Sequence, residues 1–384
     1  MPRFARCVFA VFLAVSCLTS NLACQAAAPE TAAAAFVLME AGSGRVLASR
    51  NETQERSIAS TTKIMTCLVA LEHSELTEQV TVKREHLREG SSMYLLEGET
   101  LTMEELLYGL MLPSGNDAAE CIAAHCGGSA QFIQWMNEKA KSLDMEHTSF
   151  ANPSGLDEAG HGSCALDMAR LAAYAMQNPT FARIVSTRTA NVGTRTMTNH
   201  NKLLASYSGC VGLKTGYTGD AGRTLVTCAE RGGMRLIAVT LHDGSDWADH
   251  TALYDYGFSA YALSSGAKNG EVYGSVSVSG AKKSEVYGSV SVDGQSVSAV
   301  AAESFRYPTA KNEALSVRAE LPQTVSAPVR KGQTFGTLVI SCGETEVGRV
   351  DLVSARSVQA QETKSETSKN KSLAEKLWQF LSAK

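Results

Sequence analysis

Positive charge is scarce in this chain: 35 lysines and arginines stand against 39 acids, for a formal net charge of −4. With no basic footprint to neutralise a phosphate backbone, nucleic acid is excluded as a partner. No Cys/His cluster has zinc spacing, so no metal and no other cofactor is expected. The apolar stretch from Cys7 to Leu18 is too short to cross a bilayer. Arg3 and Arg6 precede it and Cys24-Gln25-Ala26 follows as a small-x-small site, so residues 1–26 read as a secretory signal. Three of the ten cysteines lie in that signal, leaving an odd seven scattered among apolar neighbours. That excludes a disulfide framework and predicts buried free thiols.

What is present is ample apolar material, 44% of 384 residues, enough for two domains plus processed ends. Phe36 to Met39 and Arg45 to Ala48 flank Ala41-Gly42-Ser43-Gly44 as a hairpin. Apolar residues at helical spacing follow from Ser60 to Leu71, then from Leu101 to Leu112, Asn116 to His125 and Asp167 to Met176. Strand patterns return at Thr224 to Thr227 and Leu236 to Val239. Strands at both ends of a helical middle predict one sheet with a helical region beside it. From residue 263 to 354 the texture turns to alternating Val, Ser and Gly, which predicts a small β domain. Glu271 to Val278 recurs there as Glu285 to Val292, two copies only and so no repeat array. Residues 355–371 form a polar linker. Over 372–384 an apolar face with Leu373, Leu377, Trp378, Phe380 and Leu381 opposes a polar one, which suits a membrane surface.

Three short motifs occur in order: Ser60-Thr61-Thr62-Lys63, Ser114-Gly115-Asn116 and Lys214-Thr215-Gly216. Ser-x-x-Lys appears three more times, but only Ser60 opens a helical pattern. Taken singly, Ser60 suits a helix N-cap, Ser114-Gly115-Asn116 a turn and Lys214 a solvated strand end. Taken together they offer chemistry. Residues i and i+3 share a helix face, so Lys63 can reach the Ser60 hydroxyl and remove its proton. Ser114 can relay a proton and Asn116 can hold Lys63. Lys214 and Thr215 can meet a carboxylate at a strand edge, with Gly216 leaving room for close approach.

The trio resembles the active-site set of penicillin-binding proteins and serine β-lactamases. The wording of Ala59 to Thr66, Leu110 to Ala119, Asn152 to Asp157, Asn199 to Leu204, Lys214 to Thr218 and Asp255 to Phe258 extends the likeness across residues 34–262. Glycine between Ser114 and Asn116 is similar to the low-molecular-mass D-alanyl-D-alanine carboxypeptidases. The resemblance implies an α+β fold: a penicillin-recognising, β-lactamase/transpeptidase-like domain with an antiparallel sheet and helical region, followed by the all-β domain. It implies an exported serine enzyme at the outer face of the membrane, trimming peptidoglycan stem peptides that end in D-Ala-D-Ala and trapped covalently by β-lactams. Ser60, Lys63, Ser114 and Asn116 would be catalytic; Lys214, Thr215, Gly216 and Tyr217 would bind substrate, Tyr217 through its backbone N–H beside that of Ser60.

Two positions depart from that pattern. Ser154 stands where many relatives carry His, and Asp246-Trp247 where some carry an Arg for the substrate carboxylate; Arg223 is the alternative cation. Rival readings are a D,D-endopeptidase, a serine β-lactamase and a silent wall-binding scaffold. Against the lactamase, residues 150–163 hold Glu158 but place Gly162 where an Asn is needed to activate water.

Overall fold

The computed structural model describes residues 27–279 and 295–361, together with Trp378. The signal over 1–26, the repeat copy at Glu285 to Val292 and, Trp378 apart, the amphipathic pattern over 372–384 lie outside the described residues.

The chain opens with β1 (Ala35–Glu40) and β2 (Val46–Arg50), then a 3-10 turn over Ala59–Thr62 leads into α1 (Lys63–His73). β3 (Gln79–Thr81) pairs with β4 (Thr100–Thr102), and the helical region follows as α2 (Met103–Met111), α3 (Asn116–His125), α4 (Ser129–Ser142), α5 (Ala165–Ala175) and α6 (Pro179–Ser186). A hairpin of β5 (Thr189–Val192) and β6 (Arg195–Thr198) and the short α7 (Leu203–Ser206) return the chain to β7 (Cys210–Thr218), β8 (Gly222–Arg231) and β9 (Met234–Leu241). α8 (Asp246–Ala260) closes this part.

The two ends meet in one antiparallel sheet of order β2-β1-β9-β8-β7, so the N-terminal hairpin packs beside strands two hundred residues later. Gly232 and Gly233, both at positive φ, make the two-residue turn between β8 and β9. All six residues of β1 are buried because both faces are covered. Alternation sends Val37 and Met39 into the core shared with α1 and α5, while Phe36 and Leu38 pack toward Leu253 and Tyr254 of α8. β7 is the free edge that carries Lys214.

Helix starts follow local capping. The pattern from Leu101 begins as strand, and α2 starts only at Met103, because Thr102 accepts the Glu105 N–H while Glu105 reaches back to the Thr102 N–H. Asn178 caps α6 with Pro179 in its first turn. Ser60 is no N-cap: it lies inside the 3-10 turn, and no side chain caps that turn or α1.

The C-terminal part is all β. β10 (Tyr261–Ala267) pairs with β13 (Phe305–Ala310). A second sheet runs β14 (Leu315–Glu320), β16 (Thr334–Cys342), β17 (Thr345–Ser354), β12 (Gln295–Ala301), β11 (Val272–Ser279) and β15 (Thr324–Ser326) around a core of its own. Arg45 joins the two parts: its guanidinium holds Glu313 at 2.6 Å and lies over Tyr261 and Tyr307. The seven described cysteines are free; five are buried, and Cys210 and Cys342 are partly so. Among the described residues no helix is long and apolar enough to cross a membrane.

Candidate active site

A tight turn presents Ser60. Ala59 sits at φ +48°, a conformation that L residues adopt at a cost, and the Ile58 carbonyl ties the turn by accepting from the Thr61 and Thr224 hydroxyls. Two glycines press against it. A Cβ at Gly155 would come within 2.0 Å of the Ala59 carbonyl oxygen, and one at Gly216 within 2.3 Å of Thr224 Oγ1. No larger residue allows the 152–155 segment and the edge strand to approach this closely.

Lys63 is fully buried on the next turn, and its amine has three oxygen neighbours: Ser60 Oγ at 3.0 Å, Asn116 Oδ1 at 2.7 Å and the Ser154 carbonyl at 2.5 Å. The Asn116 amide is oriented by donation from Nδ2 to the Glu89 carbonyl. Two of the three neighbours can therefore only accept. A neutral amine has two N–H bonds for them, which leaves its lone pair facing the Ser60 hydroxyl. Electrostatics favours that neutral form: burial, and then the charge of Lys214, hold Lys63 well below the ordinary lysine range, with Asp117 and Glu120 opposing.

Ser114 stands at φ +68° in the break between α2 and α3, and its buried Oγ has no hydrogen-bond partner among the described residues. Asp117 organises the facing loop by accepting from Ser92 Oγ and from the N–H groups of Met93 and Leu95. The Asn116 N–H donates to the Ser91 carbonyl. Lys214 is also buried; desolvation pushes it down to about 7, and its amine donates to the Thr215 carbonyl at 2.9 Å. Ser60, Ser91, Ser114, His200, Thr215, Gly216 and Tyr217 line one cleft of about 480 Å³, which Arg223, Asp246 and Trp247 complete. Each motif thus contributes to one cavity, through Ser60, Ser114 and Thr215-Gly216, while Lys63, Asn116 and Lys214 are buried and do not line it; the Lys63 amine is 3.0 Å from Ser60 Oγ.

The two departures have physical accounts. At position 154 the backbone carbonyl holds Lys63, while the side chain turns to Asn152 Oδ1, so His is not required there. Arg223 is clamped by Asp246 through Nε at 3.1 Å and Nη2 at 2.6 Å, with its guanidinium 5.7 Å from the Trp247 ring. Glu158 is exposed, accepts from Asn152 and does not line the cleft. Two residues given no role from the sequence, Ser91 and His200, also line it; His200 lay in a stretch that carries the family resemblance, and Ser91 had no such signal. Among the described residues no group of His, Cys, Asp and Glu has the grouping of a metal site.

The family described as D-alanyl-D-alanine carboxypeptidase matches residues 22–245, and the one described as penicillin-binding protein 5, C-terminal domain, matches 262–360. The D-alanyl-D-alanine carboxypeptidase DacF of Bacillus subtilis is 33% identical over 322 residues, covering 79% of this chain and 80% of its own length. Penicillin-binding protein 5 from Haemophilus influenzae superposes with a TM-score of 0.73 at 26% identity, covering 86% of this chain and 98% of that one. A serine-to-alanine mutant of the Streptomyces K15 DD-transpeptidase gives 0.58 at 35% identity, over 60% of this chain and 99% of the other. With its α+β core, its matching β domain and a cleft serine bonded to a buried lysine, the chain belongs to the D-alanyl-D-alanine carboxypeptidase family of serine penicillin-binding proteins.

Proposed function

We propose that this chain removes the terminal D-alanine from peptidoglycan stem peptides through an acyl-enzyme on Ser60. The observation that carries the reading is the buried Lys63 amine, 3.0 Å from Ser60 Oγ, 2.7 Å from Asn116 Oδ1 and 2.5 Å from the Ser154 carbonyl; as a neutral amine it gives its two N–H bonds to the last two and turns its lone pair to Ser60. Ser60 Oγ attacks the carbonyl carbon of the penultimate D-alanine as its proton passes to Lys63. The oxyanion is received by the backbone N–H groups of Ser60 and Tyr217; loss of one such donor costs about 2.7–4 kcal/mol. The C–N bond then breaks, the departing amine takes a proton through Ser114, and free D-alanine leaves. Water hydrolyses the ester and restores Ser60. Lys214 and Thr215 hold the terminal carboxylate, with Arg223 at the rim as a third donor. A β-lactam enters the same path and its adduct leaves Ser60 only slowly, since Glu158, the acid that fast lactam hydrolysis would need to activate water, accepts from Asn152 and does not line the cleft.

The signal pattern over 1–26 and the amphipathic pattern over 372–384, both read from sequence, support export and work at the outer membrane face. The test is D-alanine release from a pentapeptide stem, with a fluorescent penicillin as active-site label. Wild type releases D-alanine and labels once per chain, while Ser60→Ala does neither. Label on Ser60→Ala, or release undiminished in Lys63→Ala, rejects the assignment.

A further inference from the structure

The segment between α4 and α5 is a closed loop gripping the helix that carries Lys63. Its neck is pinned where Ser149 and Gly162 exchange backbone hydrogen bonds and where Ser163 does the same with Arg56. Asn152 Oδ1 braces its interior by accepting from the N–H groups of Ser154 and Gly155. Besides the close approach of Gly155, three hydrogen bonds tie it to α1 and the turn before it. The Ser154 carbonyl accepts from the Lys63 amine, the Pro153 carbonyl accepts from Thr66 Oγ1 at 2.6 Å, and His161 Nε2 lies 2.8 Å from Thr62 Oγ1.

His161 is the point with chemical direction. The Ala151 N–H donates to Nδ1 at 3.0 Å, so the ring proton resides on Nε2 and is donated to the Thr62 hydroxyl. Burial lowers the basicity of the ring against the opposing influence of Glu158 and Asp157, which keeps it in this neutral form. The ring also packs edge-on against Phe150 at 5.8 Å. It does not line the substrate cleft. It lies instead in the wall of a second cavity of about 540 Å³, with Glu55, Arg56, Glu146 and His147 around the mouth.

We propose that His161 is a positioning residue for the Ser60 reaction: by bonding Thr62 and closing the floor of the second cavity, it fixes the Ser154 carbonyl on Lys63 and keeps water from the buried amine. The proposal rests on Lys63 being the base for Ser60. Without the ring, the loop loses its hold one residue before Lys63, and solvent gains a path from the second cavity. Water entry moves the amine toward the ammonium form, since desolvation is the first cause of its low basicity, while a loosened Ser154 carbonyl leaves the amine misaligned for Ser60. The charged groups that act on Lys63 are Lys214 on β7 and Asp117 and Glu120 on α3, and none of them belongs to this loop.

The experiment is the rate of Ser60 acylation by a fluorescent penicillin between pH 5 and 10, expressed per molecule that labels so that unfolded protein drops out. His161→Ala is expected to acylate about a hundredfold more slowly at pH 7, with its acid limb displaced to higher pH and its saturation concentration unchanged. Thr62→Val reproduces the defect, and the double variant is no slower than either single one. His161→Gln, whose amide nitrogen can still donate to Thr62, recovers most of the rate; with Thr62→Val it also reads out the proposal if His161→Ala does not fold. A wild-type acid limb in both His161→Ala and Thr62→Val overturns the proposal, as does His161→Gln no faster than His161→Ala in protein that melts normally. A Ser60→Ala protein that still labels rejects the nucleophile assignment instead, which keeps the two failures apart.

Discussion

Asn116→Asp exchanges one amide nitrogen for oxygen and places a carboxylate where Oδ1 now meets Lys63 Nζ at 2.7 Å. Both groups are buried, so water screens the new charge poorly. Two unit charges about 4 Å apart attract by about 4 kcal/mol at an effective dielectric constant of about 20. That energy favours the ammonium form of Lys63 and lowers the fraction of free amine by up to about a thousandfold. Ser60 acylation at pH 7 falls accordingly, although every atom needed for the reaction except the amide NH₂ is still in place. Raising the pH restores the rate, because the lost base is only protonated. The assay is stopped-flow labelling by a fluorescent penicillin across pH, with a thermal melt to show that the variant is folded. An Asn116→Asp acid limb that coincides with wild type refutes the reasoning, since Lys63 would then not be the titrating base.

Ser114→Ala removes a buried hydroxyl that has no partner in the free enzyme, so the melting temperature changes little, while D-alanine release slows by about a hundred- to ten-thousandfold; an equal loss of stability would mean the hydroxyl has a structural bond. For D-alanine release, kcat/KM rises with pH as Lys63 loses its proton and falls above about 7 as Lys214 loses the charge that holds the carboxylate; a profile still rising at pH 9 contradicts this. Arg223→Ala leaves Asp246 unpaired at the cleft rim, so KM for a pentapeptide rises about tenfold with little change in kcat, and Arg223→Ala/Asp246→Ala regains part of the loss. Gly155→Ala sets a methyl 2.0 Å from the Ala59 carbonyl at φ +84°, and destabilises the chain by about 1–3 kcal/mol while slowing penicillin labelling; wild-type urea unfolding and labelling would show that the loop and turn are not in contact.

Much of the site was legible because its motifs are local: Ser60 and Lys63 share one turn, and Lys214 to Tyr217 lie along one strand. Their convergence was not, since it depends on β1 pairing with β9 and on the edge position of β7, both long-range. α3 was readable from apolar residues at helical spacing, but α8 was not. Its buried face is Asp246, Asp249, His250, Leu253, Tyr254 and Gly257, spaced as a helix yet half polar. Hydrogen bonds from its neighbours make those polar residues tolerable, as where His250 meets the hydroxyls of Thr227 and Thr240. Hydropathy periodicity cannot register a face of that kind. The grip of the 150–163 loop on Lys63 was equally hidden, because the atom that matters at position 154 is a backbone oxygen, which every residue type supplies.

The shut-away sulfurs give the molecule a built-in gauge of its own opening. Burial pushes Cys121 up to about 12 and Cys126 and Cys164 up to about 11, and it raises Cys67 and Cys228 as well. Alkylating reagents attack thiolates, and here those are both rare and unreachable. Each of these five positions gains mass only when its part of the protein comes apart. Cys121 and Cys126 sit in or beside α3, Cys67 in α1 and Cys228 in the sheet, so the sequence in which iodoacetamide adducts accumulate records which layer lets go first.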